Sequence, residues 1–451
     1  MSDGRTVAGG GPWFGGNSLG RRDFLKVGGV GLAGVALLGA SACGGPAATN
    51  EVVLSYMGDS VPQVGLIKKF NERHKDGFRV TVRVMPSDYG EYFEKLKTEF
   101  QVGGGGIDVI LGDTIWMAEF AANDWISDLS GRFSAEERSA FVDGTIHPAS
   151  IGEGLYGVPR FLDAGMLYYR KDLLEESGYS ESPKTWEELK EMAGKVSRDR
   201  GTRYGYVFQG ADYEGGVCNG LEFIWTHGGE VLDPNDASKV IIASPESVAA
   251  LATERSMVSE GVAPQGVAPQ GVASYREYES EVTFMIHGDA VFCRHWPFLY
   301  WWSSDPKSKV KPGQVGFSPL PVADGQHRTA SRLGGDVLLI NAFSEMKEEA
   351  WEFIRFFANE QSQKTRALEA GVLPTRKALY DDREVMEALP MIAEAKEALL
   401  NVRPRPVSGR YSEMSRAMSL QFNNVLRGNA TPEEAVETLQ SGLQQIIERG
   451  E

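Results

Sequence analysis

Tyr156–Tyr179, YGVPRFLDAGMLYYRKDLLEESGY, holds two short apolar runs with a carboxylate, Asp163, between them. Pro159 lies in the first run. A proline has no N–H to give to a ladder, so that run suits a sheet edge or a crossing rather than a central strand. The second run, Gly165 to Tyr169, leads into Lys171 to Ser177, a charged helical turn that Gly178 ends as a C-cap. The stretch reads as a strand leaving one lobe, a hinge, and a strand and helix opening another. Asp163 falls where neither lobe buries it. A carboxylate there can accept two hydrogen bonds from a polar ligand held between lobes, and charged acceptors make the stronger bonds; an aspartate capping its own turn would look the same.

Upstream, the pattern alternates. Glu51 to Tyr56 reads as a strand, Val61 to His74 as a helix with Val64, Ile67 and Phe70 on one face, and Phe78 to Val84 as a strand. Tyr92 to Gln101 is amphipathic through Phe93, Leu96 and Phe100, and Ile107 to Leu111 is a wholly apolar strand. This βαβαβ order predicts a parallel sheet covered by helices, and such sheets bind ligands beyond the carboxyl ends of their strands. Those ends carry Met57-Gly58-Asp59, Pro86-Ser87-Asp88-Tyr89 and Gly112-Asp113-Thr114-Ile115-Trp116. Each supplies an acidic or hydroxyl group and two supply an aromatic. Together they describe a crevice for something rich in hydroxyls, although any one alone would serve as a turn or N-cap. The Gly103 to Gly106 run lacks the Lys and Ser/Thr of a phosphate loop and precedes a strand, so it reads as a flexible loop.

Downstream, Thr185 and Glu188 have capping-box spacing at the start of a helix running to about Arg198. Tyr204 to Phe208 reads as a strand, with helices at Leu221 to His227 and Glu246 to Glu260. The tandem repeat Gly261-Val262-Ala263-Pro264-Gln265, Gly266-Val267-Ala268-Pro269-Gln270 is too short for a solenoid unit and reads as a duplication within a surface loop. After a helix at Tyr275 to Ile286, the strand Ala290 to Arg294 runs into His295-Trp296-Pro297-Phe298-Leu299-Tyr300-Trp301-Trp302. Aromatic faces stack on the apolar faces of sugar rings. Most of this cluster suits an inter-domain core; Trp296, at the strand end, is the candidate stacking residue. Val315 to Leu320 reads as a second crossing, and Gly334-Gly335-Asp336 precedes the strand Val337 to Ile340, its glycines permitting close backbone approach. Asp336 is placed towards the crevice. Val372-Leu373-Pro374-Thr375-Arg376 reads as a third crossing from which Arg376 could meet a ligand, and the rest of the chain as helical. Three crossings between two α/β lobes leave a cleft between them.

With 451 residues, 42% of them hydrophobic, the chain has material for two cores. Its 62 acidic residues outnumber 46 basic ones, which argues against nucleic acid as a partner. Gly20-Arg21-Arg22-Asp23-Phe24-Leu25-Lys26 resembles a twin-arginine export motif, and the apolar run Val27 to Ala42 is too short and interrupted to span a bilayer comfortably. It ends at Ala40-Ser41-Ala42-Cys43-Gly44, similar to a lipobox with Ala40 where leucine is usual; lipid on Cys43 and ordinary cleavage after Ala42 are both open. Residues 1–42 are therefore read as a signal peptide and 43–50 as a linker. The GxGxxG match at Gly29 to Gly34 has no preceding strand and is set aside. Cys218 and Cys293 could form a disulfide or remain thiols. The six scattered histidines show no metal-ligand spacing, and the sequence calls for no metal or cofactor.

These motifs, in order, resemble the extracellular solute-binding proteins of ABC importers, specifically the trehalose/maltose-binding branch: Tyr156 to Pro159 with Asp163 to Leu174, Gly228-Gly229-Glu230-Val231-Leu232-Asp233, Arg294-His295-Trp296-Pro297, Leu333-Gly334-Gly335 and Leu373-Pro374-Thr375-Arg376. The resemblance implies an α/β, two-lobed periplasmic-binding-protein-like fold of type II, each lobe a central sheet flanked by helices. It divides the chain into an N-terminal lobe (51–158 and 322–371) and a C-terminal lobe (159–321 and 372–451). It implies closure on a di- or oligosaccharide by bending near Pro159, Pro321 and Gly371, and delivery to a membrane permease by a monomer held outside the cell. By position Asp113 and Asp163 match sugar-hydroxyl acceptors, Asp59 a further acidic contact, Tyr156 and Trp296 stacking residues, Gly334 and Gly335 a backbone contact, and Arg376 a late donor; Trp116 lies in the same strand-end group. Where this branch often has an aromatic after the double glycine, this chain has Asp336, which opens amino-sugars and cationic polyols as ligands. A glycoside hydrolase using Asp113 and Asp163 as paired carboxylates is the enzyme alternative.

Overall fold

The structure, a computed structural model, describes residues 51–57, 64–75, 77–86, 89–104, 106–265, 271–326, 329–400 and 402–449. The signal-like segment, the linker with Cys43, Asp59 and the second GVAPQ unit lie outside the described residues. No helix among those described is long and apolar enough to cross a membrane.

In chain order the main elements are β1 (Glu51–Met57), α1 (Val64–Arg73), β2 (Arg79–Met85), α2 (Tyr89–Gln101) and β3 (Val109–Asp113), then β4 (Val158–Pro159), β5 (Asp163–Ala164) and β6 (Met166–Arg170). There follow α3 (Trp186–Arg200), β7 (Tyr204–Val207), α4 (Glu214–Thr226), α5 (Pro245–Ser259), β8 (Ala290–His295), β9 (Val315–Ser318), β10 (Leu333–Gly334), β11 (Asp336–Ile340), α6 (Lys347–Phe357), α7 (Glu360–Ala370), α8 (Tyr411–Arg427) and α9 (Pro432–Glu448).

Two sheets organise two lobes. The first has the order β2-β1-β3-β11-β4. β1 lies parallel to β2 and β3, as the βαβαβ pattern predicts, and β11 returns antiparallel with Asp336 opposite Asp113. β4 forms the far edge, where Pro159 can sit without an N–H to give. The second sheet has the order β9-β6-β8-β7. Each sheet is buried in its own hydrophobic core: Val52, Phe70, Ile110, Phe120 and Leu339 in the first lobe, Leu167, Trp186, Phe223, Phe284 and Phe422 in the second.

The lobes are joined at three places, two of them displaced from the sequence reading. The first crossing is the short run between β4 and β5. The second is Gly334 to Asp336, not the vicinity of Pro321. Val322 bridges Thr185, the Ala323 N–H donates to the Thr226 carbonyl, and Arg332 bridges Arg403, so residues 322–326 and 329–333 stay with the second lobe. Pro321 lies three residues beyond the end of β9, but the chain changes lobe only where β10 gives way to β11. The third crossing is α7 itself rather than Val372 to Arg376: Ala358 belongs to the first core, while Ala367 and Leu373 belong to the second.

Two further differences bear on the site. The helix expected at Leu221 starts at Glu214, through Gly215, Gly216 and Gly220, which are weak helix formers. Packing overrides propensity there, because a Cβ on Gly216 would lie 2.2 Å from the Ala211 carbonyl oxygen and one on Gly220 2.4 Å from the Phe422 ring. The segment from Val402 to Ser408, expected to be helical, is extended; Pro404 and Pro406 flank Arg405 and disfavour helix before each ring.

Candidate ligand-binding site

Asp113 ends β3 and caps the turn that follows, its Oδ1 accepting from the Ile115 N–H and the Thr114 hydroxyl, each at 3.2 Å. The same oxygen is ion-paired with Nη2 of Arg405, which the extended segment after α7 brings from the second lobe. The Arg405 Nη1 donates to Glu214 Oε1 at 2.6 Å, and Glu214 also accepts from the Tyr411 hydroxyl at 2.8 Å. Burial works to raise the Asp113 pKa, but Arg405 and Arg332 outweigh it and hold the carboxyl below its ordinary value. The faces also meet where the Ser412 hydroxyl donates to Glu119 Oε2 at 3.0 Å and where Ile115 packs against both cores.

Asp336 lies beside Asp113 in the sheet. Its Oδ2 accepts from Arg160 Nη1 at 3.2 Å and its Oδ1 from the Tyr89 hydroxyl at 3.5 Å. Burial pushes this carboxyl up to about 7, against the pull of Arg160 and with reinforcement from Asp113. Asp336 thus stands at the second crossing, on the strand that follows Gly334 and Gly335.

Asp163 is only 9% exposed, so the expectation that neither lobe buries it is corrected: its strand β5 pairs with β10, Asp163 opposite Gly334, and both lobes close over it. No hydrogen bond or ion pair to its carboxylate is present among the described residues. Burial raises its pKa well above the ordinary value; Arg332 opposes and Glu277 reinforces the shift. Gly334 and Gly335 permit this approach. Gly335 has φ +109°, and a Cβ on it would lie 2.0 Å from the Phe161 carbonyl oxygen.

Trp296 follows β8 and is buried, with the Arg294 guanidinium carbon 3.6 Å and that of Arg332 4.4 Å from its ring centroid. Arg294 is held by a two-pronged bond to Glu222, both contacts 2.6 Å. Arg332 donates through Nε to the Cys218 sulfur at 3.0 Å. Glu277 completes this side; burial pushes it up to about 7, with Arg332 and the Trp296 side chain opposing.

Three sequence candidates lie apart from this group. Trp116 packs in the first core, its ring centroid 5.4 Å from that of Tyr92 and 5.7 Å from that of Phe93, and so backs the crevice wall. Tyr156 sits by the hairpin Ser150 to Leu155, its ring 2.6 Å from where a Cβ on Gly154 would be. Arg376 donates from Nε to the Ala358 carbonyl at 3.1 Å and covers the Phe141 ring, tying the third crossing to the first lobe. Sequence reasoning missed Arg405, Glu214, Glu277, Arg332 and Arg160. For Arg405 a signal existed, the alternating Arg403-Pro404-Arg405-Pro406; the others carry no local pattern. Cys218 and Cys293 are free, buried thiols, which settles the choice left open in favour of no disulfide.

The lobes are closed on each other. The space lined by Thr114, Phe161, Gly335 and Asp336 is about 10 Å³, roughly one water. Two lobes on independent cores, joined by three crossings and meeting through polar groups, have the architecture of a two-lobed binding protein.

The sequence places it more closely. Residues 60–364 match the family model for the bacterial extracellular solute-binding protein, and the chain belongs to that family. It is 32% identical over 412 residues to a probable ABC transporter-binding protein of Deinococcus radiodurans, covering 89% of this chain and 95% of that one. It is 25% identical over 364 residues to the galactooligosaccharide-binding protein of Bacillus subtilis, covering 79% of this chain and 81% of that one. Among solved structures it is similar to maltose-bound MalE3 of T. maritima, with 36% identity, a TM-score of 0.80, and coverage of 88% of this chain and 99% of that one. The fold is the two-lobed periplasmic-binding type, and the family works by binding, not by catalysis, so the hydrolase alternative falls.

Proposed function

We propose that this protein is the substrate-binding component of an ABC sugar importer, capturing a di- or oligosaccharide between its lobes and handing it to the permease. The observation that carries this reading is the placement of Asp113, Asp163 and Asp336 at the crossings, carboxylates that can accept hydroxyls, with Trp296 linked to them through Arg332, which covers its ring and faces Asp163. Likeness to a maltose-bound protein at 36% identity favours an α-glucoside of the maltose or trehalose kind. Closure bends the chain at 159–163, at 334–336 and along α7, with ligand contacts favouring the closed state. Asp59 would add a contact beyond β1. Export by the twin-arginine route, a lipid on Cys43 holding a monomer at the outer face of the cell membrane, and docking on permease subunits complete the proposal.

A thermal-shift screen of the exported chain against mono-, di- and oligosaccharides and polyols tests it, because a ligand that binds only the native state raises Tm. A clear shift with an α-linked disaccharide is expected. Silence from every carbohydrate, with a shift from some other solute, would overturn the sugar reading.

A further inference from the structure

The charges around Trp296 do not balance. Asp336 has Arg160, Glu222 has Arg294, and Asp113 and Glu214 share Arg405. Asp163 and Glu277 remain, facing Arg332 and, more weakly, Arg294, whose charge Glu222 already answers. The Arg332 guanidinium is committed elsewhere: its Nε donates to Cys218, its face covers Trp296, and it makes no ion pair within 4.0 Å among the described residues. Asp163 is nine-tenths buried with no hydrogen-bond partner, although a buried carboxylate left alone is among the costliest groups a fold can hold. Gly334 and Gly335 bring it there through a close backbone approach that any side chain would block, so its position is built in.

We propose that the ligand carries a protonated nitrogen, seated between Asp163 and Glu277 beside Trp296, and therefore belongs to the amine-bearing sugars or polyols. This inference rests on the sugar-binding reading and narrows it. A neutral sugar can donate hydroxyls to these groups but brings no counter-charge, so they must hold a proton or stay charged without a partner. An ammonium supplies both hydrogen bonds and the missing charge, and charge-assisted bonds are about twice as strong as neutral ones. Asp336 adds a second acidic neighbour to Asp163, beside Glu277.

Titration calorimetry at pH 7 with maltose and trehalose, and with their mono-amino analogues bearing nitrogen at C2, C4 or C6, tests the inference. At least one analogue is expected to bind about tenfold tighter than its parent or better. Asp163→Asn and Glu277→Gln should each bring that ratio close to one; both are near-isosteric, and melting curves report whether either fails to fold. Parent sugars binding as tightly as every analogue, with proton uptake read from buffers of differing ionisation enthalpy, would overturn the inference and leave the sugar reading intact. An amine preference unchanged in both variants would overturn the site. Failure of all these sugars to bind would overturn both readings.

Discussion

Arg405 of the second lobe is ion-paired with Asp113 of the first, and the same guanidinium holds Glu214 of its own lobe. One side chain therefore links the strand-end carboxylate of β3 to the start of α4. Asp113 and Arg405 are buried and Glu214 is half-buried, and losing one partner of the buried pair costs about 3–5 kcal/mol because the remaining charge has no solvent. Arg405→Gln is expected to open the ligand-free protein, seen as an increased radius of gyration in small-angle scattering, and to lower Tm. Asp113→Asn removes only the inter-lobe half, so it should open the protein with a smaller fall in Tm. An unchanged radius in both variants would show that the pair does not hold the lobes together.

Arg294 forks onto Glu222 beneath Trp296, and a Cβ on Gly165 would lie 1.9 Å from Glu222 Oε1. Lysine cannot reproduce a fork, so Arg294→Lys is expected to destabilise despite keeping the charge. Arg294→Ala should cost about 3–5 kcal/mol in urea unfolding. If Arg294→Lys matched the parent midpoint, the geometry of the fork would be irrelevant to the fold.

The second crossing depends on Gly335. Its φ of +109° is a region that side-chain-bearing residues rarely occupy, and the Phe161 carbonyl blocks a Cβ at 2.0 Å. Gly335→Ala should cost about 1–3 kcal/mol and also weaken ligand binding, because the crossing positions both Asp163 and Asp336. Calorimetric affinity equal to the parent's would separate the crossing from the site.

Glu254 on α5 is fully buried in the second lobe, and burial alone pushes its pKa up to about 8. The folded state then holds a proton that the unfolded state has released above its ordinary value of about 4.3. Stability from this group is present below that value, declines as pH rises towards 8, and is fully lost above it. Glu254→Gln is expected to raise Tm at pH 8.5 and to leave it nearly unchanged at pH 4. A variant effect that does not vary with pH would contradict this assignment.

Much of the site was legible where a residue's role is local. Asp113 at a strand end, Trp296 after an aromatic-rich strand and the Gly334-Gly335 pair all announce themselves by type and spacing; Asp113 meets Arg405 of the other lobe, and the glycines form the second crossing. Trp116 and Tyr156 announced themselves in the same way and lie elsewhere, because a large aromatic beside a sheet edge has as much to gain from the core as from a ligand. Glu214 was hidden by glycines that argue against a helix until Ala211 and Phe422 are seen to require them.

The sequence alone determined the two α/β lobes, the parallel start of the first sheet, the first crossing and the acidic character of the cleft, since hydrophobic period, capping and turn chemistry are written within a few residues. Tertiary structure alone decided where the second and third crossings fall, that Asp163 is buried, and that Arg405, some 290 residues along the chain, answers Asp113. Burial and charge pairing depend on which distant segments the fold brings within a few ångströms, and that is a property of packing that no local pattern encodes.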